Sequence, residues 1–252
     1  MIKVVIIGSG NVAYQMAKHC LANNQIELVA IAARNTLVLS SDFPKSNCVN
    51  IENIPLNADL YIIAIADNAI IDVSEVLKNA SGLVVHTSGS TPMHILKNNT
   101  KHGVLYPLQT LSKNKPIDFT TVPFCIEANT QQETDFLLNF AALFSKKVYK
   151  IDSEQRKKLH LSAVFVCNFV NHLYTIGADL CEQNKVPFEV LLPLITETAE
   201  KVQHISPKKA QTGPAIRNDT NTINTHLEQL QSEIYKDIYQ LITKSIQNGT
   251  EL

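Results

Sequence analysis

Several kinds of residue are scarce in this chain, and each shortage excludes a class of protein. The 252 residues include no tryptophan and only five cysteines, none of them in a Cys-x-x-Cys pair. An odd number of scattered cysteines is typical of a reducing compartment and argues against a disulfide framework, and we predict no metal site. No apolar run approaches the length of a membrane span and no secretory leader is visible, so we expect a cytoplasmic location.

A strong excess of charge is also lacking. Lysine and arginine total 22 and aspartate and glutamate total 23, which gives a formal net charge of −1. Because nucleic-acid binding needs a basic surface and the lysines form only isolated pairs, we expect no nucleic acid as a partner, and no membrane. With 45% hydrophobic residues, the composition is that of an ordinary globular protein.

What the chain does contain is a glycine-rich turn near its start. A short apolar run ends at Ile7 and leads directly into Gly8-Ser-Gly-Asn-Val-Ala13. The first glycine permits a tight turn, the second lets the backbone approach a phosphate, and the following helix offers free N–H groups to an anion. We therefore predict that a dinucleotide is bound by Gly8, Ser9, Gly10, Asn11 and Val12. The alternative is a tight strand-to-helix turn without a ligand.

Strand-like and helix-like stretches alternate as far as residue 151. Residues 59–65 form the clearest buried strand, and residues 147–151 are expected to close the sheet. The alternation predicts an α/β fold of the Rossmann type for residues 1–151, with a doubly wound and mainly parallel sheet. Residues 152–252 show no convincing strand and predict an all-α C-terminal domain.

Three helices are expected in the second domain. The first begins at about Ser153, behind a capping residue, and runs to about Gln183. The other two are expected over about 188–202 and 221–246.

The first of these helices carries a polar seam. On an ideal helix, His160, Asn168, Asn171 and His172 fall within one arc, and the rest of the circumference is apolar. This pattern predicts a helix that is buried nearly all round. Because buried polar groups need partners, the seam either binds a ligand or consists of satisfied polar groups in the core or at a subunit contact.

The end of the second predicted strand bears on the choice of cofactor. In a dinucleotide fold this position meets the adenosine ribose, where an acidic residue selects NAD and an arginine accommodates the 2′-phosphate of NADP. Arg34 lies there, and no acidic residue occurs from position 30 to 41. The sequence therefore predicts NADP(H). The alternative is a surface arginine.

Polar side chains also follow two later strands. Because ligands bind beyond the carboxyl ends of parallel strands, we expect Ala66, Asp67 and Thr87 beside the cofactor. His86 and Ser88 are catalytic candidates near the nicotinamide, since an imidazole transfers protons near neutral pH. The alternatives are that Asp67 caps the next helix and that the loop hydroxyls cap the helix after them.

Two further segments are candidates for the pocket. Tyr106-Pro-Leu-Gln-Thr110 follows a short strand and can form a wall. Arg217, within Thr212-Gly-Pro-Ala-Ile-Arg-Asn-Asp219, is a candidate to hold a substrate carboxylate or a cofactor phosphate. The alternative is a surface ion pair between Arg217 and Asp219, of little energetic weight.

Together these segments resemble an uncharacterised bacterial family with a Rossmann-like N-terminal domain and a C-terminal domain of unknown function. The family is similar in layout to pyrroline-5-carboxylate reductase, the beta-hydroxyacid dehydrogenases and the deazaflavin-dependent NADP oxidoreductases. The resemblance implies an NADP-binding domain and a helical domain like the C-terminal part of 6-phosphogluconate dehydrogenase. It also implies a homodimer built by the helices and a small-molecule substrate held between the domains.

One departure from these relatives limits what can be transferred. Beta-hydroxyacid dehydrogenases carry a catalytic lysine four residues before an asparagine in the first long helix. Here Val164 precedes Asn168 and Cys167 precedes Asn171 at that spacing, so their 3-hydroxyacid chemistry is not carried over.

The sequence therefore predicts an NADP(H)-dependent oxidoreductase that acts on a small polar metabolite. His160 or His172 is the candidate general acid or base, and Asn168 and Arg217 are candidate substrate anchors. The alternative, favoured by the missing lysine, is a non-catalytic NADP(H)-binding sensor or a dimeric scaffold.

Overall fold

The computed structural model describes residues 1–39 and 41–249, and in this part of the chain one sheet contains all the strands. The eight strands are β1 (Ile2–Ile7), β2 (Ile26–Ala33), β3 (Cys48–Asn50), β4 (Leu60–Ile63), β5 (Leu83–His86), β6 (His102–Pro107), β7 (Phe124–Ala128) and β8 (Val148–Lys150). Their order is β3-β2-β1-β4-β5-β6-β7-β8. Every neighbouring pair is parallel except β6 with β7. The predicted Rossmann-type, mainly parallel sheet is confirmed.

The described helices separate and follow these strands. They are α1 (Asn11–Ala22), α2 (Ile70–Val76), α3 (Gln131–Ala142), α4 (Ser153–Ala163), α5 (Val170–Gln183), α6 (Leu192–His204), α7 (Pro207–Ala210), α8 (Thr220–Gln229) and α9 (Glu233–Asn248). A π-helical segment, Val164–Phe169, joins α4 to α5. The helical run therefore covers Ser153–Gln183, as predicted.

The centre of the sheet is covered on both faces. All four residues of β4 and the last four of β1 are buried. Ile6 and Ile62 pack in one apolar cluster with residues of α1 and α3, whereas Ile7 and Ile63 pack in a second cluster with residues of α2. Continuous apolar runs of this kind are what a parallel strand needs when helices lie on both sides.

The chain divides into two compact units, Met1–Cys167 and a second unit that begins at Asn168. The first unit holds the whole sheet together with α1 to α4. The predicted division after residue 151 follows directly on the last strand, which ends at Lys150. As a domain boundary it stays a prediction.

The single helix predicted over 221–246 is wrong, because two helices occupy this stretch. The chain leaves α8 at Leu230 in an extended conformation, and Ser232 is the N-cap of α9. A serine followed by Glu233 is a helix-start signal that the sequence already contained.

The prediction that the long helix is buried nearly all round is also wrong for a single chain. In the 18-residue apolar window of Ser153–Gln183, only 6% is buried, and Val166 is 74% exposed. The apolar surface of the helix therefore has little cover from this chain. In addition, the π-helical segment changes the number of residues per turn, so the ideal arc drawn through His160 and His172 does not hold.

By length and composition the same helix can cross a membrane, so the expectation that no stretch reaches this length is wrong. A single such helix is weak evidence of a membrane location, because helices of soluble proteins meet the same criterion.

Candidate cofactor site

A cavity of about 550 Å³ lies in the first unit at the carboxyl ends of the central strands. Its wall consists of residues 8–12, 33, 34, 51, 64–67, 87–90, 106, 111 and 160. The first members follow β1, the next follow β2, and the two groups after residue 51 follow β4 and β5. This edge of an open α/β sheet is where ligands bind, because the strand ends and the helix starts converge there.

All nine residues that the sequence analysis selected for the cofactor lie on this wall. They are Gly8, Ser9, Gly10, Asn11, Val12, Arg34, Ala66, Asp67 and Thr87. Two of the six catalytic candidates, Ser88 and His160, lie there as well, as does Tyr106. The structure thus brings residues from six separate parts of the chain to one cavity.

The glycine-rich turn is tight at its first glycine and open at its second. Gly8 has a φ of +137°, and a Cβ at this position would overlap the carbonyl oxygen of Ala64. A Cβ on Gly10 would meet no atom within 4 Å. Gly8 is therefore needed by the fold itself, whereas Gly10 leaves free space on the cavity wall.

The start of α1 is left without a side-chain partner. Gly10 is its N-cap, no side chain caps the helix, and no acidic residue lies in its first turn. The first N–H groups of a helix have no partner within the helix and carry partial positive charge. Together with the space beside Gly10, this arrangement fits the pyrophosphate of a dinucleotide.

Charge is unequally placed along the wall. Among the described residues of the wall, Arg34, exposed just after β2, is the one guanidinium and Asp67, which follows β4, is the one carboxylate. The carbonyl oxygen of Arg34 accepts a hydrogen bond from Asn50 Nδ2 at 3.3 Å, which holds the backbone and leaves the guanidinium available to a phosphate.

Asp67 is bound to the loop after β5. Its Oδ2 accepts hydrogen bonds from Ser88 Oγ at 2.9 Å and from Ser90 Oγ at 2.5 Å. The alternative that Asp67 caps the next helix is wrong, because the N-cap of α2 is Ala69 and no side chain caps it. Ser88 Oγ also accepts the backbone N–H of Thr91 at 2.9 Å, so this hydroxyl organises its own loop as well.

His86 does not lie on the cavity wall, which corrects the prediction that it faces the nicotinamide. Its side chain is fully buried, and its Nδ1 accepts a hydrogen bond from the backbone N–H of Ser88 at 3.2 Å. Burial, reinforced by the nearby charge of Arg156, lowers the pKa of His86 to about 4. A neutral, enclosed imidazole supports the loop but does not reach a ligand in the cavity.

Tyr106 and His160 meet on the cavity wall. Tyr106 Oη and His160 Nδ1 are 3.0 Å apart, within hydrogen-bond distance, and the rings cross at 72°. Burial raises the pKa of Tyr106 to about 12. Tyr106 is in the penultimate position of β6 and His160 lies in α4, so the pair joins the sheet to that helix.

A buried arginine that the sequence analysis did not single out holds this part of the site together. Arg156 is 1% exposed, and its Nη1 lies 2.6 Å from Glu127 Oε2. Its Nη2 donates to the carbonyl oxygen of Thr91 at 2.6 Å. Arg156 thus ties α4 to β7 and to the loop after β5. The only sequence signal was rarity, since the chain has three arginines.

The remaining catalytic candidates lie in the second unit. Asn168 is in the π-helical segment, His172 is in α5, and Arg217 follows the turn at Gly213, and all three are exposed. Their roles stay predictions. Asp219 caps α8 by accepting the N–H of Thr222 at 3.1 Å, which gives it a role other than the proposed surface pair with Arg217.

Solved structures of other proteins share this fold. The crystal structure of a "putative NADP oxidoreductase" from Bacteroides fragilis is 38% identical and covers 98% of each chain, with a TM-score of 0.90. A protein from Thermotoga maritima is 19% identical over 98% of each chain, with a TM-score of 0.74. Pyrroline carboxylate reductase from Plasmodium falciparum, solved with NADP bound, is 12% identical over 98% of each chain, with a TM-score of 0.64. No curated protein matches the chain.

The fold defines a class, namely Rossmann-type α/β proteins with a helical C-terminal region. Residues 122–246 match the family model described as domain of unknown function DUF2520. With 38% identity over nearly the full length of both chains, the chain belongs to the same family as the Bacteroides fragilis protein. The resemblance to an uncharacterised family related in layout to pyrroline carboxylate reductase is confirmed.

Proposed function

We propose that the protein is an NADP(H)-dependent oxidoreductase that acts on a small polar metabolite. The observation that carries this proposal is the cavity, where an uncapped helix start, a glycine-rich turn and Arg34 lie together. The family relative described as an NADP oxidoreductase supports it, as does the related fold solved with NADP bound.

Each part of the cavity wall has a role in this proposal. Residues 8–12 bind the pyrophosphate through backbone N–H groups, and Arg34 binds the 2′-phosphate. Ala66, Asp67 and Thr87 line the path of the cofactor beyond the pyrophosphate. When bound, the nicotinamide supplies or accepts a hydride.

The catalytic end is assigned to residues from the loop after β5 and from α4. Ser88, whose hydroxyl is held by Asp67, orients the bound groups. His160 is the acid–base candidate on the cavity wall, while His172 remains the other candidate. Asn168 and Arg217 remain proposed substrate anchors, and a substrate position between the two units stays a prediction.

The test is NADPH oxidation with a panel of small oxo acids, ketones, aldehydes and imines, run beside calorimetric titrations with NADPH and NADH. Turnover of at least one compound is expected, with tighter binding of NADPH than of NADH. Tight NADPH binding with no turnover would contradict the oxidoreductase function and favour a non-catalytic NADP(H)-binding sensor. Absence of NADPH and NADH binding would favour a dimeric scaffold.

Arg34 gives a sharper test of cofactor choice. We expect Arg34→Asp to lose about tenfold or more in affinity for NADPH relative to NADH, because a charge-assisted contact to the 2′-phosphate is replaced by repulsion. Lys45→Asp, an exposed cation off the cavity wall, is the matched control and is expected to bind like the wild type. An Arg34→Asp variant that keeps its NADPH preference would remove Arg34 from the proposal.

We further propose that the protein acts in the cytoplasm as a homodimer formed by the helical part. All five cysteines are free thiols, which is consistent with a reducing compartment. Large apolar side chains in and near α6 are exposed, including Val190 at 65% and Leu194 at 62%. These side chains could be covered by a second copy of the chain or by a membrane. Analytical sedimentation in buffer without detergent distinguishes the two. The mass of a dimer is expected, whereas a monomer or a need for detergent would contradict the proposal.

A further inference from the structure

Two side chains on the cavity wall form a hydrogen-bonding pair. The hydroxyl of Tyr106 and Nδ1 of His160 are 3.0 Å apart, and both residues face the cavity. A phenol has one proton and two lone pairs, and a protonated imidazole has a proton on each nitrogen. When His160 is protonated, its Nδ1–H donates to the Tyr106 oxygen, and the phenol proton is left for a ligand in the cavity.

The loop after β5 is shaped to allow this pair. A Cβ on Gly89 would lie 2.5 Å from His160 Nδ1 and 2.9 Å from Tyr106 Cζ. Such distances are far below van der Waals contact, so only a glycine lets the loop pass beside both rings. The pair and the loop are therefore fitted to each other.

The helix that carries His160 is fixed to the same loop. Arg156 lies four residues before His160, hence on the same face of α4. Its guanidinium donates to the Thr91 carbonyl at 2.6 Å and pairs at 2.6 Å with Glu127, whose side chain is 15% exposed. Arg156 thus ties the turn of α4 before His160 to β7 and to this loop.

Resting on the oxidoreductase function proposed above, we propose that Tyr106 donates the proton in the reduction of a carbonyl compound and that His160 resupplies it. With a reduced nicotinamide as the hydride donor, hydride addition to the carbonyl carbon would leave the π-electron pair on oxygen. The Tyr106 O–H bond breaks as the new O–H bond of the product alcohol forms. The phenolate then takes the proton from Nδ1 of the His160 imidazolium. This leaves a neutral imidazole, which regains a proton from the bulk solvent. One hydride and one proton are consumed for each carbonyl reduced.

The chemistry of the donor favours a carbonyl over an imine. An oxygen that becomes anionic on hydride addition needs a proton, and a neutral phenol supplies one. A protonated imine already carries its proton and needs no such donor. Because burial raises the pKa of Tyr106 to about 12, the hydroxyl stays protonated at neutral pH, yet an alkoxide is basic enough to take its proton.

The test compares Tyr106→Phe with Tyr149→Phe, an exposed tyrosine in β8 that serves as the matched control. The first measurement needs no substrate: ¹⁵N NMR of the histidine rings is expected to show a shifted Nδ1 signal of His160 in Tyr106→Phe alone. The second is the NADPH affinity by calorimetry, which is expected to stay within about twofold of the wild type.

The third measurement is NADPH oxidation with matched ketones, aldehydes and imines. We expect the wild type to prefer the oxo compounds and Tyr106→Phe to lose about 100-fold in kcat/KM, the usual contribution of a general acid. His160→Gln is expected to lower kcat about tenfold with KM unchanged, because Tyr106 remains but its proton source is lost.

The outcomes separate this inference from the function on which it rests. An unchanged His160 signal, a preference for imines, or full activity of Tyr106→Phe would each overturn the role of Tyr106 and leave the oxidoreductase intact. A wild type that fails to bind NADPH, or that binds it and reduces nothing, overturns the proposed function and the present inference together.

Discussion

The two compact units bury apolar residues very differently. In the first unit every residue of β4 is buried, and the strands and helices share two apolar clusters. In the second unit α5, α6, α8 and α9 contain no buried residue, and Ala215 is the one buried residue in the part that is described. Since burial of apolar surface is the main stabilising contribution to folding, the first unit supplies its own core. The second unit leaves most of its apolar surface exposed in this chain, which is why we propose that a second copy covers it.

The difference also separates two kinds of prediction. Substitutions in the first unit should change the free energy of unfolding directly, because the contacts they remove are within the chain. Substitutions on the exposed helices of the second unit should act through association, and should depend on protein concentration.

The largest effect is expected at Arg156. Arg156→Leu leaves Glu127 without its cation. Removal of one partner of a buried pair costs about 3–5 kcal/mol, and because the Glu127 side chain is 15% exposed we expect the lower end of this range, about 3 kcal/mol. The change in the free energy of unfolding of the first unit, measured in urea, gives this loss. The double variant Arg156→Leu/Glu127→Leu should recover much of it. A single variant within about 1 kcal/mol of the wild type would show that the pair is unimportant to this core.

Acid should weaken the first unit through His86. Its pKa is about 4 in the folded protein and about 6.5 when unfolded, so the folded state binds fewer protons in between. The stabilisation, about 3 kcal/mol, is therefore full above pH 6.5 and is lost as the pH falls towards 4.

Stability measured by urea between pH 7 and 4 checks this dependence. His86→Gln should flatten the profile, whereas His94→Gln, at an exposed position, should leave it steep. Equal slopes in the two variants would exclude His86 as the cause.

A smaller effect is expected on association. Leu194→Glu should weaken the proposed homodimer by about 2 kcal/mol, since it removes a leucine side chain that the dimer contact would bury and places a charge there. Thr196→Glu adds the same charge two residues further along α6, on its opposite side, and should have little effect. Sedimentation over a range of concentrations measures both. If the two variants dimerise with equal affinity, the dimer contact does not lie at Leu194.

The smallest change in stability is expected at Gly10. Because its Cβ would enter open space, Gly10→Ala should stay within about 0.5 kcal/mol of the wild type in unfolding and yet bind NADPH about tenfold more weakly, a change of about 1.4 kcal/mol. Gly8→Ala is the contrasting variant, because its Cβ overlaps Ala64 and must destabilise the fold. Undiminished NADPH binding by Gly10→Ala would argue against a pyrophosphate at this turn.

The fold and the residues of the cavity wall were predictable because the sequence patterns that indicate them are local. Apolar runs such as that of β4 identify strands, and the carboxyl ends of parallel strands meet at one edge, so residues as distant as Gly8 and Thr87 could be assigned to one cavity. The glycine pattern adds its own local geometry at Gly8.

The rest depends on contacts between distant parts of the chain. The pair of Tyr106 and His160 spans 54 positions, and no sequence spacing indicates it. Three further features also depend on tertiary contacts that a single sequence does not reveal. They are the π-helical segment, the exposure of the long helix and the burial of His86.

The central claim is that the first unit holds NADP(H) in the cavity at Gly8 and Arg34. Calorimetric titration of the full-length protein with NADPH and with NADH tests it most directly. We expect NADPH to bind at micromolar concentration and NADH to bind at least about tenfold more weakly, as a 2′-phosphate contact requires. Equal affinity for the two, or no binding of either, would contradict the claim.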